Sequence, residues 1–477
     1  MLTTDAPPGS PRSYSTRLRT AVVLTGTGTA GAYHAGVLRA LHEAGVRIDL
    51  AAGRGIGALG AMFAAVDGGQ RLWDREGLWK SAAIAQAYRW RLPLRIAAWA
   101  MAIAVALLAV PLGLSALGVV AGGIGVALWL INLTAASNAV TSFYARTLDT
   151  LFAPTALPTI IPRFVVFCLL VAVGALAAGL AVSAWRAPSR RRSAHGALWR
   201  LFGSPVSAGF LVDRASGELW NLIRGAAAIA APPRKDLGRR YMELLVENLG
   251  QPGFRELLLV AHDMDARQDV LFALLADGHR QRFFGRAGDA GTRQAEAVDL
   301  AGVGREHVMD ALAANLATPV ATDPHLLRFP TEGAWRGETH RLCDRPGSLE
   351  RLLEEVAVAG VEQVLVLSAS PPPGKPHELS SARGDFRGRA AEQLASFEAA
   401  DLRDALERSA SRFAGLYVVR PAHNPVGPLD FGGVYDERSD RYYSLGELVD
   451  RGYEDAYHQF IEPVVAASGE RIVTVQS

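Results

Sequence analysis

The chain has only 2 cysteines in 477 residues, in unlike surroundings: Cys168 inside an apolar run and Cys343 in a polar stretch. That argues against a disulfide framework and against a cysteine metal site. A surplus of one charge is missing as well. Lys and Arg number 49 and Asp and Glu 47, a formal net charge of +2, so nothing in the charge balance calls for nucleic acid. Residues 1–18, rich in Thr, Ser, Pro and Arg, lack the apolar core of a secretory signal and read as a flexible tail, with the fold starting near Thr20.

Charge disappears altogether in two long stretches, Ile96 to Leu133 and Phe164 to Trp185, in a chain whose hydrophobic content is 50%. The second matches a bilayer crossing of about 30 Å. The first is too long for one crossing and too short for two with a turn, and Pro111 and the glycines from Gly113 to Gly125 are the expected break points. Strands on either side must join one sheet on one side of a membrane, so the crossings must be even in number. Arg89, Arg91 and Arg95 before the insert and Arg186, Arg190, Arg191 and Arg192 after it place both flanks in the cytoplasm by the positive-inside rule. The expectation is a multi-pass membrane protein with a cytoplasmic globular part: a bent or partly re-entrant first crossing, a polar link from Thr134 to Thr159 across the bilayer, and one return helix. Four crossings are the alternative.

The globular part is organised by the stretch Ala21 to Leu41. A Val-rich strand enters the turn Gly26-Thr-Gly28-Thr-Ala-Gly31, and Val37, Leu38 and Leu41 begin a helical apolar stripe. The bare amides of such a turn, at the positive end of a helix, suit a phosphate or an oxyanion. A second strand, turn and helix follow, and Gly53-Arg54-Gly55-Ile56-Gly57 has the spacing of a G-x-S-x-G nucleophile elbow with glycine in place of serine. A dinucleotide site would also use G-x-G-x-x-G, with Asp49 as the ribose acid. Asp49 stands at the beginning of its strand, however, and a second elbow serves no purpose there.

Two glycine turns about 25 residues apart, each opening a helix, make the chain resemble the patatin-like phospholipases. That family has an oxyanion loop G-G-G-x-R-G, an elbow G-x-S-x-G, and a later D-G-G or D-G-A that supplies the aspartate of a Ser-Asp dyad. Gly26, Gly28 and Gly31 match the loop glycines, Thr27 replaces the middle glycine and Ala30 the arginine, and Gly55 replaces the serine. Far downstream, Glu332-Gly333-Ala334 resembles D-G-A with glutamate for aspartate, and a helix near Ser348 to Val358 and a strand Gln363 to Ser368 follow it, as in the family. The resemblance implies a three-layer α/β/α domain, and the uncharged runs interrupt it with a transmembrane helical insert (tail 1–18, first part 19–91, insert 92–192, remainder 193–477). It implies an oxyanion site at Gly26, Thr27, Gly28 and Thr29, with Gly55 at the nucleophile position and Glu332 at the acid position. A lipid or acyl ester and the bilayer are the implied partners, with no cofactor and no metal.

Further along, His262, Asp263 and Asp265 close a strand and read as a polar loop because no fourth ligand stands nearby. Asp430 in Asp430-Phe-Gly-Gly433 competes with Glu332 but reads as a turn residue. Pro371-Pro-Pro-Gly374 is a stiff loop, and Asp385 to Leu406 an amphipathic helix. Two functions follow from a site without its nucleophile. One is a membrane-embedded lipid-binding pseudoenzyme. The other is a lipid acyl hydrolase in which Glu332 activates water directly.

Overall fold

The computed structural model describes residues 14–152, 160–185, 204–285, 290–319, 321–370, 386–421, 427–436 and 441–466. The loop from Pro371 to Gly374 and the arginines at 186–192 lie outside this set. In chain order the main elements are β1 (Thr20–Thr25), α1 (Ala30–Glu43), β2 (Leu50–Gly53), α2 (Gly57–Ala65), α3 (Leu92–Leu130), α4 (Thr134–Phe152) and α5 (Ile160–Trp185). There follow α6 (Gly209–Arg224), α7 (Arg234–Asn248), β3 (Glu256–Asp263), β4 (Gln268–Leu274), β5 (Ala297–Asp299), α8 (Val308–Asn315), β6 (His325–Arg328) and β7 (Thr339–Cys343). The chain closes with α9 (Leu349–Val358), β8 (Gln363–Ser368), α10 (Phe386–Ser409), β9 (Gly415–Val419) and α11 (Leu445–Ala456). Two compact units result: Met1–Arg89 with Ser207–Ser477, and Trp90–Val206.

The first unit is built on a nine-stranded sheet in the order β9-β8-β1-β2-β3-β4-β5, with β7 pairing β3 and β6 pairing β7. Strands β9, β8, β1, β2 and β3 run parallel, with Val22 opposite Leu365 on one side and Ala51 on the other. Parallel strands covered on both faces are apolar throughout, and β1 and β2 are buried at every residue. Alternation sorts their side chains into two cores. Val22, Leu24 and Ala51 pack with Val37, Leu41, Leu59 and Phe63 of α1 and α2. Ala21, Val23, Leu50 and Ala52 face Leu349, Leu352 and Val356 of α9 and Leu402 and Ala405 of α10. The layers are helix, sheet and helix.

The fold already includes Tyr14, ahead of the expected start near Thr20. Tyr14 is buried, packs edge-on against Phe460 at 5.8 Å between ring centres, and accepts a hydrogen bond from the Arg47 amide. Cys343 also departs from expectation: it is the buried last residue of β7, and burial pushes its thiol up to about 12.

In the second unit α3 is one continuous helix of 39 residues, about 58 Å at 1.5 Å per residue. Neither Pro111 nor the glycines break it. The polar link is helical as α4 over Thr134–Phe152; after the turn at Asn132 it runs back along the C-terminal half of α3, with Ser137 Oγ donating to the Gly125 carbonyl at 2.8 Å and Tyr144 to Leu114 at 2.9 Å. Helix α5 packs on the N-terminal half of α3, where Cys168 and Ala172 close on Ala97, Ala100 and Ala104. Two helical spans, Leu92–Leu130 and Ile161–Val182, are long and apolar enough to cross a membrane. Trp99 and Leu170 are more than 60% exposed on them.

Candidate functional site

The site forms where β1 and β2 end side by side. Both strands run into glycine turns, and the turns are tied to each other: the Arg54 amide donates to Leu24 O at 3.1 Å and the Ile56 amide to Gly26 O at 2.9 Å. Gly55 has a φ of +56°, the left-handed conformation a nucleophile elbow demands and a side chain resists at a cost of about 1–3 kcal/mol. Its amide donates to Asn315 Oδ1 at 2.8 Å, and Asn315 is steadied by donating from Nδ2 to Ala311 O at 2.9 Å within α8.

A β-carbon at Gly55 would stand 2.8 Å from Asp344 Oδ2 and press on the Gly26 carbonyl. Asp344 follows β7 directly, its amide donating to Ala317 O at 3.0 Å. Around it lies a buried charge cluster. Arg54 Nη1 reaches Asp344 Oδ1 at 2.9 Å and Oδ2 at 3.0 Å, Nη2 reaches Glu398 Oε1 at 2.9 Å, and Nε donates to Thr25 Oγ1 at 2.8 Å. Thr27 Oγ1 lies 3.1 Å from Asp344 Oδ2 and also touches Glu398. Arg54 and Asp344 are each 1% exposed. Removing such charges from water is tolerable only because they are paired. One arginine does not neutralise two carboxylates, and one hydroxyl proton cannot serve both. The cluster is satisfied when one carboxyl keeps its proton, and burial pushes that of Asp344 up, against the opposing pull of Arg54.

The glycine loop is occupied in a similar way. Gly28 has a φ of +60°, and a β-carbon there would strike the Pro428 carbonyl. That carbonyl accepts from the Thr29 amide at 3.2 Å, and the Thr29 hydroxyl donates to the Gly427 carbonyl. An amide at the start of α1 therefore holds a carbonyl oxygen of the protein's own chain.

Gly26, Thr27, Gly28, Thr29 and Gly55 come together as the sequence suggests. Glu332 does not join them. It lies exposed in the turn between β6 and β7, where the Pro330 carbonyl accepts from the Gly333 and Gly337 amides, both at 3.2 Å. The carboxylate beside Gly55 belongs to Asp344. Its signal was present: Asp344 immediately precedes α9 and β8, the helix and strand that follow the acid in the motif order. Arg54 carried no such signal, and neither did Glu398, which α10 supplies from 344 residues away.

The other polar groups of interest are paired elsewhere. Asp263 accepts from the Asp265 and Ala266 amides at 2.9 and 3.0 Å and meets His340, Asp265 pairs with Arg341, and His262 Nδ1 lies 2.9 Å from Asp269. Asp430 sits in the turn that carries Pro428, its amide donating to Gly427 O at 3.1 Å. Asp49 lies ahead of β2 and accepts from the Thr20 amide at 2.9 Å, away from the glycine turns at the other end of the strands.

No curated protein matches the chain. Among solved structures, the crystal structure of VipD from Legionella pneumophila aligns over 92% of this chain and 66% of its own length, at 12% identity and a TM-score of 0.29, too loose a likeness to bear on the site. The chain spans just under two thirds of that protein. A family model described as patatin-like phospholipase matches residues 22–344, a span that opens in β1 and ends on Asp344. With more than half of its length matched, and both glycine turns within the match, the chain belongs to the patatin-like phospholipase family.

Proposed function

We propose that this chain is a membrane-embedded patatin-like protein that binds lipid without forming an acyl-enzyme at its elbow. One observation carries the reading: residue 55 keeps the left-handed turn of a nucleophile elbow, faces a carboxylate, and has only hydrogen where the attacking hydroxyl would stand. Asp344, in place of Glu332, takes the acid position. It is not poised as a base, because Arg54 lies against both its oxygens and Thr27 against one of them. The exposed place of Glu332 speaks against the water-activating route through that residue.

Membrane embedding draws support from the two apolar spans and their exposed aromatic and aliphatic side chains. The arginines at 89, 91 and 95 favour a cytoplasmic site. The test is to purify the full chain in a mild detergent, identify bound lipid by mass spectrometry, and assay the same sample for phospholipid hydrolysis. Stoichiometric lipid without hydrolysis supports the reading. Hydrolysis that disappears in Asp344→Asn overturns it.

A further inference from the structure

The glycine turns and Arg54 describe a polar seat, and the protein fills it with a carboxylate of its own. Glu398 reaches in from the middle of α10, is 9% exposed, and accepts from Arg54 Nη2 at 2.9 Å and from the Thr27 hydroxyl. With one carboxyl of the cluster holding a proton, a single carboxylate balances Arg54, and Asp344, which lies against Nη1 through both oxygens, can supply it when Glu398 leaves. Glu398 is the second carboxyl on a buried guanidinium that needs only one counter-charge, so it is the dispensable member of the cluster. Its carboxylate stands where a ligand's would: on a planar fork suited to carboxylate oxygens, with a hydroxyl donor beside it, next to an elbow that has lost its nucleophile.

We propose that the site receives the carboxylate of a free long-chain fatty acid, which takes the place of Glu398 on Arg54 and Thr27 when α10 withdraws. The proposal deepens the lipid-binding reading and rests on it. It assigns the site to the free acid, the chemical product of ester hydrolysis, over the intact ester. An ester offers a neutral carbonyl, which draws far less from a buried guanidinium than an anion does. Glu398 then acts as an internal competitor, and apparent affinity falls by the fraction of molecules in which it is seated.

The test compares oleate, methyl oleate and dodecyl phosphate binding to the full chain in detergent, by calorimetry, for the unmodified protein, Glu398→Ala and Glu398→Gln. Removing the competing carboxylate should tighten oleate by at least about tenfold in both variants, leave methyl oleate unchanged, and lose its effect when Arg54→Met is added. Should the Arg54 variant not fold, the contrast between oleate and its methyl ester in Glu398→Ala still decides. An equal gain for the methyl ester, or no gain for oleate, overturns the proposal. Tighter binding of dodecyl phosphate than of oleate overturns the carboxylate assignment. If phospholipid copurifies while the oleate gain is absent, only this proposal falls; if no lipid binds in either experiment, the broader reading falls with it.

Discussion

Arg54 Nη1 sits between the two oxygens of Asp344, at 2.9 and 3.0 Å, across 290 residues of chain. Arg54 thereby ties down the carboxyl that lies beside Gly55. Gly55 carries no hydroxyl, and the carboxyl beside it lies in a buried pair with Arg54.

Arg54→Met should destabilise the protein by about 3–5 kcal/mol, because it leaves Asp344 and Glu398 buried without a counter-charge. Adding Asp344→Asn and Glu398→Gln should recover much of that loss. Denaturant unfolding of the full chain in detergent measures both.

Gly55→Ser should lower stability by about 1–3 kcal/mol, since a side chain at φ +56° is strained and its β-carbon meets the Gly26 carbonyl. Esterase activity toward a p-nitrophenyl ester should stay at background, Asp344 being held by Arg54. Adding Arg54→Ala should not restore it, because without its counter-charge the buried Asp344 carboxyl keeps its proton, and Glu332→Asp, on an exposed turn, should also change nothing.

A fluorophosphonate should leave no adduct on residues 53–57, as glycine at 55 offers no oxygen to phosphorus. Peptide mass mapping checks this. A stoichiometric adduct elsewhere that abolishes a lipase activity would place the centre on another residue.

Two carboxyl groups give opposite pH signatures. Burial pushes Asp401 up to about 6, with Arg54 pulling the other way. A raised folded value means its stabilising contribution is present below about 4 and lost as pH rises through about 6, so Asp401→Asn should be more stable than the unmodified protein at pH 7–8 and no different near pH 4. Burial also raises Asp310, but hydrogen bonds from His307 and His325 outweigh it and bring the group down to about 2. That contribution is present above about 4 and lost as pH falls through about 2; Asp310→Asn should be less stable at neutral pH, with the gap closing toward pH 2. Thermal melts across pH 3–8 separate the two.

For membrane topology, cysteine at Asn138 on α4 should be labelled from outside intact cells by an impermeant maleimide, and cysteine at Asp450 on α11 only after lysis. Equal labelling of both in intact cells contradicts a crossing between them.

Much was legible in the sequence because it is local. Strand, glycine turn and helix at Ala21 to Leu41, the second unit at Leu50 to Ala65, the strand Gln363 to Ser368 and the uncharged runs each depend on residues within a few turns of one another. The left-handed glycine at 55 was legible for the same reason, since the turn is five consecutive residues. Tertiary structure decided the rest. Asp344, and not Glu332, lies beside Gly55 because the β3–β7 pairing brings the end of β7 to the end of β2, which a local motif match does not report. The pairing of Arg54 with Asp344 and Glu398, and the Pro428 carbonyl on the Thr29 amide, join segments hundreds of residues apart. Helix α3 runs unbroken through Pro111, and α4 folds back along it with side-chain bonds to the backbone carbonyls of Gly125 and Leu114, contacts for which composition leaves no trace.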